Sequence, residues 1–356
     1  MKRRDFVRNT SLLAAGMSVL PQLSFASNMN NNMPDNWVWI NGSNRVSKDK
    51  WKLLLERLQS GGFNGIACNG SDDFYLEFAP LCKEYGIQLH TWRWTVNRGN
   101  YKDEHPEWYA VNRNGDSVWD KPPYVNHYRW LCPSRAGVRK ALRDDYVALS
   151  KLEGISGVHL DYVRYCDIIL PIGLQPKYNL VQDHEMAEFD YCYCDHCCNK
   201  FEGLHGYSPK SLDDPSKDQK WHQFRLDQVV ELVDEIVGGV HDAGSVISGA
   251  VFPTPAMSRR MVRQDWSRFK LDAYMPMLYH EYYLEDTHWI SNSIAEARKE
   301  VPMDTPIYAG MMMRRDFDPK LLVDTHKRVI DAGGNGLSIF TGWSLSDEQI
   351  KAFSNK

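Results

Sequence analysis

Eight short apolar segments alternate with amphipathic helical segments along this chain, and that alternation restricts its fold more than any other sequence feature. The strand-like segments lie at residues 36–40, 63–68, 87–94, 157–165, 246–252, 272–279, 306–310 and 335–341. Several of the helical patterns between them end in glycine just after the last apolar turn, as helices commonly do. Strands that alternate with helices predict an α/β fold with a parallel sheet. Eight such units favour a (β/α)8 TIM barrel over a doubly wound sheet, which needs fewer strands.

The N-terminal segment has the pattern of an export signal. It begins with a basic stretch containing paired arginines, continues with an apolar run over 12–20, and reaches small residues at Ser24 and Ala26. The apolar run is too short to cross a bilayer, and the string RRDFVR is typical of twin-arginine signals. We therefore predict a signal peptide at 1–26 and a single TIM-barrel catalytic domain at 27–356. The mature protein is expected to be periplasmic or extracellular, after export in the folded state.

Composition excludes several classes of function. The chain has 356 residues with 46 Asp and Glu against 42 Lys and Arg, so a nucleic-acid partner is not expected. A hydrophobic content of 43% is that of a folded domain and not of a disordered chain. No other segment has the length and apolarity of a membrane span. No segment indicates an organic cofactor.

Two connections of the predicted barrel are unusually long. One runs from about residue 95 to 133 after strand 3, and the other from 166 to about 217 after strand 4. Active sites of TIM-barrel enzymes lie at the C-terminal ends of the strands, in the loops that follow them. Long loops in compact domains tend to be functional. The functional site is therefore expected around strands 3 and 4.

The fourth strand segment, GVHLDYVRY, carries the leading catalytic candidate. The two-residue alternation of a strand places His159, Asp161 and Val163 on one face, so an inward face would bring Asp161 to the rim of the barrel. A neighbouring Arg164 would hold this carboxylate ionised. An ionised Asp suits a nucleophile or a group that stabilises an oxocarbenium-like transition state. The alternative is that Asp161 only pairs with Arg164 and locks the barrel rim.

Six segments of the sequence resemble one family of sugar-acting barrels. They are 105–117, 130–142, 157–165, 264–266, 272–281 and 336–343. In this order they resemble the glycoside-hydrolase-like barrel family 10, also called domain of unknown function 187. The resemblance covers most of the mature chain, implies action on polysaccharide fragments, and matches Asp161 to the strand-4 Asp of that family.

A more distant similarity to glycoside hydrolase family 18 is incomplete. That family carries its acid as a Glu two residues after the final strand-4 Asp, whereas this chain has Val163 there. Its strand-6 motif is matched in part here. Tyr279 stands at the position of the motif's Tyr, whereas His280 stands where that family has an Asp. Tyr279 would hydrogen-bond the substrate or hold Asp161 in place.

A glycosidase of the usual kind needs a second carboxyl group, about 5–5.5 Å from the first in retaining enzymes and about 6.5–9.5 Å in inverting ones. Glu281 is the first choice because it follows strand 6 directly, although a solvated loop carboxylate is an equally good interpretation of it. Asp265 and Glu185 are the second and third choices. Asp272 lies at the other end of its strand and is expected to help seal the bottom of the barrel.

Aromatic residues at strand ends form a second indication of sugar binding, because flat rings stack on the apolar faces of pyranoses. The expected substrate-binding residues are Trp92, Arg164, Tyr279, His280 and Trp343. Trp92 and Trp343 are the preferred cleft walls. His90 lies deeper on the Trp92 face and is interpreted as a hydrogen-bonded core histidine.

The segment CYCDHCC at 192–198 places four cysteines within seven positions. Closely spaced thiolates can surround one ion, and structural Zn²⁺ takes four tetrahedral ligands. The segment resembles the zinc loop of glycoside hydrolase family 42 β-galactosidases, where a further cysteine comes from an upstream Cys-Pro turn. The resemblance implies a structural zinc site, which would tie the two long loops together. Its ligands would be Cys132, Cys192, Cys194 and Cys197.

Alternatives to this ligand set remain open at the level of sequence. Cys198, Cys166 and His196 compete for the fourth position. Disulfides are a second possibility in an exported protein. Export in the folded state favours metal, since the thiols would meet it in the reducing cytoplasm first.

The sequence thus predicts a secreted glycoside hydrolase that acts on a polysaccharide or oligosaccharide. It would use a carboxylate pair at the C-terminal face of the barrel, with Asp161 as nucleophile or charge stabiliser and Glu281 as acid/base. The alternative is a carbohydrate-binding barrel without catalysis. A third interpretation makes the cysteine cluster the centre of a metal hydrolase.

Overall fold

The computed structural model describes residues 33–356 and contains eight strands and nine α-helices in that range. The strands are β1 (Trp37–Asn41), β2 (Gly65–Asn69), β3 (Gln88–Trp94), β4 (Gly157–Asp161), β5 (Val246–Val251), β6 (Ala273–Pro276), β7 (Tyr308–Met312) and β8 (Gly336–Phe340). The helices are α1 (Lys48–Ser60), α2 (Asp72–Glu84), α3 (Ala136–Ser150), α4 (Asp195–His205), α5 (Gln219–Asp242), α6 (Pro255–Val262), α7 (Thr287–Ala297), α8 (Pro319–Asp331) and α9 (Asp347–Ser354). The predicted export signal at 1–26 lies outside the described residues.

All strand pairs are parallel, in the order β6-β5-β4-β3-β2-β1-β8-β7. Two isolated parallel bridges, Tyr274 to Ile307 and Met277 to Gly310, join β6 to β7 and nearly close the ring. The prediction of a (β/α)8 barrel is confirmed. All eight strands coincide with the predicted segments, whose ends differ by a few residues.

The barrel interior is filled mainly by aromatic and small side chains. Its apolar residues are Trp37, Trp39, Ala67, Trp92, Ala250, Ala273, Met275 and Tyr308. Two buried histidines complete it, and the Nδ1 atoms of His90 and His159 both lie 2.8 Å from the hydroxyl of Ser248. Burial lowers the pKa of His90 to about 3 and that of His159 well below its usual value, so both rings are neutral. His90 is thus the core histidine that the sequence indicates.

The N-terminal end of the barrel is held by polar contacts away from the mouth. Asp272, just before β6, accepts a hydrogen bond from the backbone N–H of Ile247 at 2.8 Å and lies 3.0 Å from Nε2 of His241. This agrees with the expectation that Asp272 seals the bottom. Among the described helices none is long and apolar enough to cross a membrane.

The two long connections pack against each other. Asn112 and Tyr191 form an antiparallel bridge, and the backbone N–H of Tyr193 donates to the carbonyl of Val111 at 2.7 Å. An ion pair between Asp190 and Arg225 of α5, both fully buried, fastens the second connection to the helical layer. The long connections are thus ordered parts of the domain that surround the C-terminal mouth of the barrel.

Closure between β6 and β7 depends on a close backbone approach at Gly310. A Cβ at this position would lie 2.5 Å from the carbonyl oxygen of Pro276. We expect Gly310→Ala to lower the free energy of unfolding by roughly 1–3 kcal/mol, the usual cost of overpacking. Urea denaturation checks this, with Gly238→Ala as the matched control. Gly238 lies in α5 with nothing within 4 Å of a Cβ, so this change should leave stability equal or higher. Equal effects of the two substitutions would contradict the expectation.

Candidate active site

A cavity of about 650 Å³ opens at the C-terminal mouth of the barrel, and we call it the mouth cavity. This volume lies in the usual range for small-molecule sites. Its aromatic lining consists of Trp39, Trp92, Trp94, Tyr124, Tyr128, Tyr162, Tyr178, Phe252, Tyr279, Tyr282, Tyr283 and Phe340. Apart from the tyrosines, its ionisable lining residues are Asp161, Arg164 and Asp167. The arrangement offers many ring faces and few charged groups.

Asp161 is the last residue of β4, and only 5% of it is exposed. Its Oδ2 accepts a hydrogen bond from Nε1 of Trp92 at 3.0 Å, and its Oδ1 accepts one from the backbone N–H of Tyr162 at 2.7 Å. Both oxygens are therefore fixed in direction. The neighbouring strand supplies one donor, because Trp94 pairs with Asp161 in the register of β3 and β4 and Trp92 lies two residues earlier on the same face.

Burial determines the protonation of Asp161. It raises the pKa of this carboxyl from 3.8 to about 6, although the two hydrogen bonds and the more distant Arg164 lower it. The sequence analysis expected Arg164 to hold Asp161 ionised, and this expectation is wrong. Arg164 instead forms an ion pair with Asp167, with Nη1 3.2 Å from Oδ1. Asp161 thus has the properties of a carboxylic acid that can retain its proton in weakly acidic solution.

Arg164 and Asp167 form a buried charged pair in the wall of the mouth cavity. Asp167 also accepts a hydrogen bond on Oδ2 from the hydroxyl of Tyr128 at 2.9 Å. The guanidinium carbon of Arg164 lies about 5 Å from the ring centroids of Trp130 and Phe252, at 4.8 and 4.9 Å. Such contacts stabilise a cation that is removed from water. Arg164 therefore contacts both the carboxylate of Asp167 and the rings of Trp130 and Phe252.

Asp167 is the carboxylate that sequence reasoning missed. It lies outside β4, so strand alternation gives no information about its direction. The available signal was the spacing in LDYVRYCD, where an acid follows Arg164 by three residues. In the described part of the chain, Asp161 and Asp167 are the carboxylates that line the mouth cavity.

Two tyrosines of the lining have left-handed backbone conformations. Tyr124 has φ of 62° and Tyr162 has φ of 50°. Bulky side chains rarely adopt this region, and such strain often occurs at binding sites, where the surrounding structure maintains it. The turn at Tyr162 ends β4 and directs its N–H at Asp161, so Val163 does not continue the inward face as the sequence predicts.

Three of the five expected substrate-binding residues line the mouth cavity, namely Trp92, Arg164 and Tyr279. Trp343 instead packs on Trp51 of α1, with ring centroids 5.1 Å apart, and is absent from the lining. The expectation of a cleft wall at this position is wrong, because the chain turns outward after β8 into a short 3-10 helix at Gly342–Ser344. His280 is 8% exposed and borders a recess of about 10 Å³, which has no room for a sugar.

Glu281, the preferred second carboxyl, also lies outside the mouth cavity. The chain after β6 forms a 3-10 helix at His280–Tyr283, and the half-exposed side chain of Glu281 pairs with Nη1 of Arg314 at 2.8 Å. The sequence-based choice of Glu281 is therefore not supported, and the solvated alternative fits better.

The other two candidates for the second carboxyl are engaged elsewhere. Asp265 forms an ion pair with Arg259 at 3.0 Å. Glu185 pairs with the buried Arg263. Neither carboxylate lines the mouth cavity.

Four cysteine side chains converge between the two long connections. The Sγ atoms of Cys132, Cys192, Cys194 and Cys197 all lie within 4.8 Å of one another and are buried. Zinc–sulfur bonds of about 2.3 Å in a tetrahedron place the sulfurs about 3.8 Å apart, so this donor set fits a single ion of that kind. All eight cysteines are free thiols in the described residues. This is the predicted ligand set.

The three rival ligands have other surroundings. Nε2 of His196 lies 3.1 Å from the carbonyl oxygen of Ser134, and the thiol of Cys198 contacts the carbonyl oxygen of Tyr193 at 3.5 Å. Neither these two residues nor Cys166 belongs to the group of four.

The cysteine cluster borders the segment that carries Arg164 and Asp167. Tyr165 lies between them in sequence and is buried, and its pKa is raised well above the usual value by burial and by the neighbouring thiols of Cys197 and Cys132. The cysteine cluster therefore lies close to the segment that forms one wall of the mouth cavity.

Comparison with solved structures places the fold among glycoside hydrolases. The PgaB (BpsB) glycoside hydrolase domain from Bordetella bronchiseptica gives a TM-score of 0.62 at 13% identity, over 86% of this chain and 94% of that domain. The catalytic domain of β-amylase from Paenibacillus polymyxa gives 0.59 at 12% identity, over 91% and 98%. A family 42 β-galactosidase from G. stearothermophilus gives 0.57 at 12% identity, over 90% of this chain and 56% of that one.

These similarities show a TIM barrel that is shared with glycoside hydrolases. No protein-family model matches the sequence, and no curated protein matches it either.

Desolvation of Asp161 predicts a specific pH dependence of stability. Because the folded protein holds this proton more tightly than the unfolded chain, the stability from Asp161 is complete below pH 3.8 and is lost as pH rises through about 6. We expect the free energy of unfolding of Asp161→Asn, relative to wild type, to increase by up to about 3 kcal/mol between pH 4 and pH 7. Urea titrations at several pH values measure this difference. The exposed Asp120→Asn should show no such trend, and a parallel trend in both variants would contradict the assignment.

Proposed function

We propose that this protein is a glycoside hydrolase whose site is the mouth cavity, with Asp161 as the proton donor. The observation that carries the proposal is a carboxyl group with its pKa raised to about 6, held by two hydrogen bonds in an aromatic cavity at the C-terminal face of a TIM barrel. Raised carboxyl pKa values mark the general acids of glycosidases. The raised pKa favours this acid role over the nucleophile role expected from sequence.

The proposed reaction uses Asp161 twice. As the bond between the anomeric carbon and the glycosidic oxygen breaks, Asp161 transfers its proton to that oxygen, and the leaving sugar departs as an alcohol. Water then adds to the anomeric carbon and returns a proton to the Asp161 carboxylate, so atoms and charge balance. After proton transfer, the negative Asp161 carboxylate and the surrounding ring faces would stabilise the positive charge that develops on the anomeric carbon, while Asp167 stays paired with Arg164.

Three further points support a carbohydrate substrate. Trp92, Trp94 and Tyr162 supply ring faces beside Asp161, which suits stacking on pyranose rings. The neighbours named above are a glycoside hydrolase domain, a β-amylase and a β-galactosidase. The resemblance to the glycoside-hydrolase-like barrel family 10 points in the same direction. An exported protein with signal peptide 1–26 would meet such glycans outside the cytoplasm, and this localisation is part of the proposal.

Substitution of Asp161 tests the enzyme assignment. We expect Asp161→Asn to lower kcat roughly 10²–10⁴-fold on any cleaved oligosaccharide, because the amide cannot donate a proton as an acid does. Wild-type kcat should fall as pH rises through about 6, where Asp161 ionises. Glu281→Gln is the matched control and should keep its activity, since its carboxylate faces Arg314. Reducing-sugar release across a panel of glycans measures these rates.

The panel also separates catalysis from simple binding. Full activity in Asp161→Asn would refute the acid role. Sugar binding by the wild-type protein without cleavage of any glycan would instead favour a carbohydrate-binding barrel, in which the ring-lined cavity serves recognition alone. Calorimetric titration with the same oligosaccharides detects that binding.

We further propose that the four clustered thiols hold one structural zinc ion. Four sulfur ligands fill a tetrahedral site and leave no position for water or substrate, which argues against a metal hydrolase. A bound ion would neutralise part of the thiolate charge and fasten the two long connections to each other. Cys132 belongs to the first connection, whereas Cys192, Cys194 and Cys197 belong to the second.

Metal analysis tests this site. We expect one zinc per chain in the purified protein, and Cys197→Ser should lose it and unfold at a lower temperature. Cys198→Ser is the matched control. The thiol of Cys198 is next to Cys197 in sequence and is also buried, but it lies outside the cluster. Inductively coupled plasma mass spectrometry and thermal denaturation give the two readouts. Equal metal content in both variants would overturn the ligand assignment.

A further inference from the structure

The lining of the mouth cavity differs in solvent exposure between the side of β4 to β6 and the side of β1 and β2. After β4 and β5 the lining includes the buried residues Leu170 and Phe252, each only 5% exposed. On the side of β1 and β2, Asn41 is exposed and Asn69 is half-buried, although both line the same cavity. We call the side of Leu170 and Phe252 the deep side of the cavity and the side of Asn41 and Asn69 its open side.

The deep side is closed by contact between two connections. The backbone N–H of Gly173, in the connection after β4, donates to the carbonyl of Tyr282, after β6, at 2.8 Å. A Cβ at Gly173 would lie 2.8 Å from the Tyr282 oxygen and 3.0 Å from that of Glu281. The two backbones touch each other, so no gap for a glycan chain exists between them at this point.

Buried amide groups hold this wall in one conformation. Oε1 of Gln182 accepts a hydrogen bond from the backbone N–H of Leu170 at 2.8 Å, and Nε2 of Gln175 donates to the Leu170 carbonyl at 3.0 Å. The backbone N–H of Gln182 in turn donates to Oε1 of Gln175 at 2.8 Å, and its Nε2 donates to the hydroxyl of Tyr124 at 3.0 Å. A fully bonded network of this kind rigidifies the segment.

The open side has only short connections. Six residues join β1 to α1 and two join β2 to α2, as the bounds of these elements show. Neither connection has the length to fold over the mouth cavity. A chain bound beside Asp161 can therefore leave the cavity over β1 and β2, and the wall between Gly173 and Tyr282 blocks the opposite direction.

From this geometry we infer that the enzyme acts on the end of a glycan chain. The terminal sugar enters the deep side of the cavity beside Leu170, and the rest of the glycan extends over β1 and β2. This inference rests on the proposed function and adds the mode of attack to it. Cleavage in the middle of a long chain would require the groove to continue through the deep side, where the contact at Gly173 leaves no gap.

Product analysis on labelled oligosaccharides tests the mode of attack. The probes are hexasaccharides of the cello, xylo, manno, galacto and chito series, each with a fluorophore on its reducing end. Early in the reaction we expect one terminal product to exceed all products of internal cleavage by at least about tenfold. A mixture of internal fragments would overturn the inference and leave the proposed function standing. If no series is cleaved, the proposed function fails and the inference fails with it.

A substitution in the wall gives a second readout. Gly173→Ala must displace the Tyr282 backbone, so we expect it to open the deep side and shift products toward internal cleavage. Gly203→Ala, in α4 with nothing within 4 Å of a Cβ, is the matched control and should keep the wild-type product pattern. Circular dichroism verifies that both variants are folded. An unchanged product pattern in folded Gly173→Ala would contradict the role of this wall.

Discussion

Removal of the Asp161 carboxyl group from water is the constraint on which the site depends. In solvent this group would be an ordinary carboxylate, whereas the barrel mouth raises its pKa to about 6. Two donors, the indole of Trp92 and the backbone of Tyr162, keep its direction fixed while the long connections exclude solvent. The cost of desolvation is offset by the fold as a whole, in which the cysteine cluster lies between those connections and close to Tyr165.

The architecture was predictable because strand periodicity and helix ends are local properties of sequence. Eight apolar segments marked all eight strands, and the barrel fold followed from their alternation with helices. The cysteine cluster was predictable for a similar reason. Three of its four members lie within six residues of one another, so chain geometry alone brings them close together.

The partners of charged groups were harder to predict because they depend on the chain direction after each strand ends. Nearness in sequence assigned Arg164 to Asp161, but the left-handed turn at Tyr162 redirects the chain, and Arg164 meets Asp167 instead. The 3-10 turn after β6 likewise takes Glu281 away from the mouth cavity. Neither turn contains the glycine or proline that usually marks such a change in direction, so the sequence gives little warning of them.

The charges of the mouth cavity also bear on what it accommodates. In the described part of the chain Arg164 is the one arginine or lysine of the lining, and Asp167 already neutralises it. An anionic sugar would bring an unpaired negative charge into this desolvated cavity without a free cation to receive it, which is unfavourable. Protonated Asp161, the neutralised pair and the ring faces together form a surface of low net charge. Under the proposed function, uncharged sugars would suit that surface, because their apolar faces would stack on the rings while their hydroxyls would contact the fixed carboxyl groups.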